Sequence, residues 1–465
     1  MEEKLFWKRQ NTWETFDEKE RDNTFQLAEE YKAFVSQNKT ERQVVTHLVE
    51  VGKQRGFRDL EEFINKGETL KPGDKVYYAY REKALAMAII GEEPLNNGFK
   101  VIGSHVDCPR IDLKPNPLYE AADLAWFKTH YYGGIKKYQW VATPLALHGV
   151  VFTQGGKRID ISLGEDDQDP VFTITDLLPH LASKQMEKKM SEAITGEGLN
   201  ILVGSIPLKD SETKEKIKHA ILDQLHKTYG FIEEDFTVAE LQLVPAGKAR
   251  DVGFDRSIIG SYGHDDRVCA FASWKAIEDI GTPRQTALII LMDKEETGSA
   301  GNTGMQSNLL EVLVAELLQA TGQHVNTLNV LRALGKSRAL SADVNLALDP
   351  NFEAVIEKNN TAKLGYGVVI TKYTGARGKS GTSDANAEFV QEVRKLFNDN
   401  KVNWQTGELG AVDQGGGGTI AQFLARYGME VLDCGVALLS MHAPFELVSK
   451  ADLAMMVKGY KAFLK

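Results

Sequence analysis

The 465-residue chain is 42% hydrophobic and carries 55 Lys and Arg against 65 Asp and Glu, a formal net charge of −10 with a pI near 5.6. That length and apolar share predict a large core divided among two or three compact units, and the acidic balance argues against nucleic acid or an anionic membrane surface as the main partner. No run approaches the roughly 18 apolar residues of a membrane span, the opening Met1-Glu2-Glu3-Lys4-Leu5-Phe6-Trp7-Lys8 lacks the order of a secretory leader, and three cysteines without a CxxC spacing suit a reducing cytoplasm.

Up to about Asn97 the chain reads as mainly helical and charged. Residues 99–107 then read as a strand ending in the polar Ser104, His105 and Asp107. From about Asp112 to Gly247 the character changes to short β-like runs at 150–152 and 158–163, a turn-rich stretch at 164–170, and amphipathic charged segments. This predicts an inserted unit and the division 1–111, 112–247 and 248–465. Beyond Gly260 strands and helices alternate: a helix over 266–280 with Ala270, Trp274 and Ile277 on one face, a strand over 286–293, a helix marked by Leu310, Leu313, Val314 and Leu317, and buried strands over 339–348 and 431–441. Such alternation predicts an α/β fold with a mixed or parallel central sheet and helices on both faces. No internal repeat is visible, and low complexity is confined to Gly415–Gly418.

Glu295-Glu296 directly follows the apolar run 286–292. Two adjacent carboxylates at the end of a buried strand are costly unless they bind a cation or handle a proton. Four other segments end apolar runs in the same way: His105-Val106-Asp107, His264-Asp265-Asp266-Arg267, Ser341-Ala342-Asp343 and Ser440-Met441-His442. Each alone is ordinary, because a lone His is usually a core or surface residue and an Asp pair usually caps a helix. Open α/β sheets gather ligands at the carboxyl ends of their strands, so the five together predict a metal centre of two His and three carboxylates. With one carboxylate bridging, each of two ions obtains three protein ligands, and zinc, cobalt or manganese fits that donor set. Asp107, two residues beyond His105 on one strand face, is placed to orient that ligand. Cys108 and Cys269, though close to candidate ligands, read as small buried side chains.

In order and spacing these motifs resemble the M18 family of metallo-aminopeptidases, the aspartyl aminopeptidase group, from the 103–107 segment to the 440–442 segment; the M42 and M28 peptidases share the Asp-Asp-Arg-like and Glu-Glu elements. The resemblance implies His105, Asp265 and Asp343 on one ion, Asp265 bridging, and Glu296 with His442 completing the second. It implies Glu295 as general base, Asp107 as the aspartate behind the ligands, and Asp266 as the cap of the following helix. It further implies two divalent ions, zinc foremost, peptide substrates, a β-rich dimerisation or lid domain within the peptidase domain, and dimers that build a dodecamer.

The pattern departs from the family in two places. A His that family members supply from the dimerisation domain aligns with Lys184, with His180 four residues earlier. Thr374-Gly375-Ala376-Arg377-Gly378-Lys379-Ser380-Gly381 replaces the signature of aspartyl-specific members, leaving Lys372, Arg377 and Lys379 as candidate partners of an acidic side chain. The functional expectation is a cytoplasmic two-metal aminopeptidase. The competing readings are a two-metal deacylase or carboxypeptidase-like hydrolase, and a non-catalytic assembly protein retaining the metal site.

Overall fold

The computed structural model describes residues 5–209 and 212–465; Met1–Lys4, part of the segment read above for a leader, lie outside them. Contacts divide the chain into two units: Met1–Asp107 with Ala249–Met441 and Glu446–Lys465, and Cys108–Lys248 with His442–Phe445. Among the described residues no helix is long and apolar enough to cross a membrane.

The first unit is built on a nine-stranded sheet. Its four middle strands, Thr286–Met292, Phe99–His105, Arg338–Ser341 and Glu430–Gly435, run parallel in that spatial order. Every position of Thr286–Met292 is buried, as a sheet covered on both faces requires. Successive side chains serve opposite cores: Ala287, Ile289 and Leu291 pack with Tyr31, Leu48 and Phe271, whereas Leu288, Ile290 and Met292 pack with Leu313, Leu317 and Leu424. The first core lies under the helices Glu18–Gln37, Glu41–Gln54, His264–Ile277, Ala387–Asp399 and Lys450–Leu464, the second under Leu309–Ala320 and Thr327–Gly335. The Glu18–Gln37 helix opens on a capping box, in which the Asp17 carboxylate accepts the Glu20 N–H and the Glu20 carboxylate accepts that of Asp17.

Three elements differ from the sequence expectation. The first hundred residues contain the antiparallel strands Lys75–Tyr80 and Ala84–Ile89, hidden because short Ala- and Tyr-rich runs fit helix and strand alike. The run 339–348 is two strands: Arg338–Ser341 in the large sheet, then Asn345–Leu346 in a second, five-stranded sheet. The run 431–441 likewise divides into Glu430–Gly435 and Ala437–Leu439. In both, buried apolar residues continue on the far side of the crossing, so composition does not mark the change of sheet.

The second unit carries a seven-stranded antiparallel sheet, in the order Arg158–Leu163, Leu145–Phe152, Glu240–Pro245, Arg110–Ala121, Leu124–Tyr132, Ile201–Gly204 and Thr173–Ile174. Against it lies the helix Lys216–Tyr229, which ends on Gly230 in the left-handed conformation.

Candidate metal centre

Parallel pairing sets the site. His105 stands opposite Met292 in register, so the end of one strand carries the imidazole and its neighbour leads directly into the tight turn Glu295–Thr297. Asp107, fully buried, joins them. Its Oδ1 accepts the Glu295 N–H at 3.1 Å and its Oδ2 the Glu296 N–H at 3.2 Å. The His105 Nδ1 lies 3.0 Å from the Asp107 main-chain oxygen and 3.3 Å from Oδ1. A proton on Nδ1 is thereby held, and Nε2 is left to face the ligand side, 3.2 Å from the Asp265 Oδ1.

Asp265 and Asp266 do not follow a strand of the large sheet. They lie at the start of the His264–Ile277 helix, reached from the strand Ile258–Ser261 of the five-stranded sheet, and both have non-helical backbone angles. The peptide bond between them is cis. The Asp265 N–H donates to the Glu446 Oε2 at 3.1 Å. The Asp266 carboxylate turns inward rather than capping the helix: its Oδ2 accepts the His105 N–H at 3.4 Å. Arg267, almost fully buried, donates from Nη2 to the Lys39 carbonyl at 2.6 Å and stacks on Tyr262.

Two overlapping groups offer ligand atoms all within 4.8 Å of one another: His105 with Asp265 and Glu296, and His105 with Asp266 and Asp343. His105, Asp265, Glu296 and Asp343 are thus brought together around the turn that carries Glu295. His442 is in neither group; it belongs to the second unit, where its Nδ1 lies 2.8 Å from the Gly134 carbonyl oxygen. Sequence reasoning passed over Asp266 as a cap and did not single out Glu446, a buried carboxylate whose signal was a lone charge opening the apolar strand Glu446–Ser449.

The electrostatics fit a cation. Burial raises Asp266 and Asp343 well above the ordinary carboxylate range; repulsion from Asp265 adds to it at Asp266, and repulsion from Asp266 and Asp265 adds to it at Asp343. Burial alone would lower His105, yet its hydrogen bonds to Asp107 and Asp265 outweigh that and hold it well above the usual value. A close group of carboxylates around one oriented imidazole is stabilised by a divalent ion, and imidazole with carboxylate oxygens is a zinc-compatible donor set. Beside it, His264 is fully buried and neutral, its pKa lowered to about 4 by burial. Its Nδ1 accepts the Tyr31 O–H at 2.6 Å while Nε2 donates to the Ile259 carbonyl at 3.1 Å.

The remaining candidates belong to other elements. His180 is exposed on the short turn Pro179–Leu181, and Lys184 sits in a separate short helix, Ser183–Met186, so they do not share one helical face. Lys372, Arg377 and Lys379 border the hairpin Tyr373–Ala376 and Ser380–Asp384, onto which the glycine run folds through a 2.7 Å Gly375 N–H to Gly417 carbonyl bond. A side chain at Gly416 would meet the Gly375 carbonyl oxygen at 2.3 Å. Cys108, Cys269 and Cys434 are buried thiols outside any disulfide.

The family model described as "Aminopeptidase I zinc metalloprotease (M18)" matches residues 34–464. A probable M18 family aminopeptidase 1 from Clostridium acetobutylicum is 55% identical, over 98% of this chain and 97% of its own length. The crystal structure of aminopeptidase I from the same organism superposes with a TM-score of 0.93 at 51% identity, over 99% of this chain and all of that one. The M18 aminopeptidase of Thermotoga maritima gives 0.94 at 43%, with the same coverage. With a matching fold, a metal-compatible cluster and this breadth of similarity, the chain belongs to the M18 family of metal-dependent aminopeptidases.

Proposed function

We propose that this aminopeptidase works through two metal ions held by His105, Asp265, Glu296, Asp343 and His442, with Asp265 shared and Glu295 carrying the proton. The observation that supports it most is the pair of hydrogen bonds that the Glu295 and Glu296 N–H groups donate to the Asp107 carboxylate, which fixes the main chain of both residues relative to His105. His442 enters through the family pattern alone. When bound, the ions would acidify a water and polarise the scissile carbonyl. Asp107 keeps the proton on the His105 Nδ1, so that Nε2 presents its lone pair. Glu295 accepts the proton of the attacking water as its oxygen adds to the peptide carbonyl. It returns that proton to the leaving nitrogen as the C–N bond breaks.

The test is a panel of free-amine peptides beside their N-acetylated forms, with and without chelator and metal add-back. Metal-dependent cleavage of the free-amine set alone is expected; cleavage of the acetylated set would replace this reading with a deacylase. Glu295→Gln should keep its metal while turnover falls by roughly two to four orders of magnitude; near-normal turnover in a metal-replete variant removes Glu295 from the role. Asp265→Asn should cost both ions. Loss of both in Asp266→Asn instead would move the shared position to its neighbour.

We also propose that the second unit mediates self-association. Its segment from Leu177 to Met190 exposes the large apolar side chains of Leu177, Leu178, Leu181, Met186 and Met190 to solvent, and exposed apolar surface grouped in one segment marks a site of association. Light scattering of the wild type against Leu181→Glu/Met186→Glu tests this, with a smaller particle expected from the variant.

A further inference from the structure

The second unit contains an apolar recess of about 520 Å³ that the chemistry of the metal centre does not use. Its walls come from both ends of the seven-stranded sheet: Ile161 from the Arg158–Leu163 edge and Thr173 from the opposite edge strand, with Leu147, Leu241, Phe127 and Leu202 from strands between. A sheet whose two edges line one cavity is curled around it, and the mouths of curled and closed sheets are recurrent ligand sites. The helix Lys216–Tyr229 covers the gap. Ile221, Gln224, Leu225, Thr228 and Tyr229 line the recess at helical i, i+3, i+4, i+7 and i+8 spacing.

The lining specifies a chemistry. At the base, Phe127 and Phe231 each meet Phe236 edge-on, with centroids 5.6 and 5.3 Å apart, an arrangement that accepts apolar or aromatic groups. Among the described residues no lining side chain carries a formal charge, so an ion entering would lose hydration without a counter-charge from them. Hydrogen-bonding groups sit at the rim: Gln224 and Thr228 are exposed and one helical turn apart. The volume falls within the roughly 300–1,000 Å³ of small-molecule pockets.

We propose that this recess binds an uncharged small molecule with an apolar body and one neutral polar end, the body against the Phe127–Phe236–Phe231 floor and the polar end at Gln224 and Thr228. The site is independent of the metal centre, so its test does not depend on the catalytic reading.

The metal-loaded full chain is titrated with N-phenylnaphthylamine, a neutral apolar fluorophore, and the bound probe is displaced with decanol, decanoate or decylammonium. One saturable site per chain is expected, displaced by decanol, with both ions at least about ten-fold weaker. Leu225→Trp, which fills the recess, should weaken probe binding by about ten-fold or more while peptide hydrolysis is unchanged. Thr228→Val, at the exposed rim, should keep the probe but weaken decanol several-fold, by about the loss of one hydrogen bond. Absence of saturable binding, ions that compete as well as decanol, or wild-type affinity in Leu225→Trp overturns the proposal. Probe binding seen only on dilution to separate chains also overturns it, because a second copy would then be what covers the recess.

Discussion

Replacing Asp107 with Asn tests how the site is held together. The Asp107 carboxylate receives two main-chain N–H groups from the Glu295-Glu296 turn, at 3.1 and 3.2 Å, and its Oδ1 lies 3.3 Å from the His105 Nδ1, all in a place closed to solvent. An amide of the same shape keeps one acceptor and presents a donor where the other stood, so one buried N–H loses its partner. A hydrogen bond to a charged group contributes about 1.5–3 kcal/mol, and an unsatisfied buried donor costs a similar amount. Expressed as ligand placement, that is about ten- to a hundred-fold in metal affinity, the usual effect of changing the group behind a metal-binding His. The assay is competition with a chromophoric chelator, alongside kcat/KM measured at saturating metal. Affinity should fall by that factor, with kcat/KM still reduced after metal saturation because Glu295 has lost its backbone anchor. Metal affinity within about two-fold of wild type, with unchanged kcat/KM, would refute the claim that Asp107 sets the geometry of the turn.

Three further outcomes follow from residues outside the candidate ligand set. Asp452 is fully buried, accepts the Gly365 and Gly367 N–H groups at 2.7 and 2.6 Å, and is raised by burial to about 7 from 3.8. The folded state therefore holds this proton more tightly than the unfolded state, so its contribution is complete below the unfolded pKa and is lost as pH rises towards 7. That loss is of order 4 kcal/mol; urea titrations from pH 4 to 8 should show it, and an identical slope in Asp452→Asn would assign the pH dependence elsewhere. Lys450 is fully buried with its Nζ 2.8 Å from the Asp251 Oδ1, which Lys32 shares at the same distance. Asp251→Ala should cost about 3–5 kcal/mol and be partly recovered by adding Lys450→Met; a loss under about 1 kcal/mol by chemical denaturation would contradict a stranded cation. Tyr31→Phe removes the O–H given to the buried His264 Nδ1 and should lower stability by about 1–3 kcal/mol, whereas an unchanged melting curve would show that His264 is held without it.

What the sequence made legible divides along a physical line. The strands at 99–105 and 286–292 were readable because a strand covered on both faces must be apolar throughout and because polar residues close it at once. His105, Glu295 and Glu296 were readable for the same reason, as polar residues at those strand ends. Asp343 was readable in the same way, since it follows the end of Arg338–Ser341; what stayed hidden is that the chain then passes into another sheet at Asn345–Leu346, because an apolar run carries no mark of which sheet it enters. The inward turn of Asp266 depends on the non-helical backbone at 265 and 266, which composition does not encode.

Glu446 shows the limit most clearly. It reaches Asp265 because Ser261 and Glu446 are partners in the antiparallel pairing of Ile258–Ser261 with Glu446–Ser449. The two elements are nearly two hundred positions apart in the chain, and register between distant strands is set by the whole hydrophobic pattern rather than by any local one. The same holds for the charge of the site. No segment alone carries an excess that demands a cation; the demand arises when Asp107, Asp265, Asp266, Glu295, Glu296 and Asp343 are brought around one imidazole. A metal centre of this kind is therefore a tertiary property. Local sequence can nominate its ligands by where apolar runs stop, but which carboxylate faces inward, and what holds it there, is decided by long-range pairing.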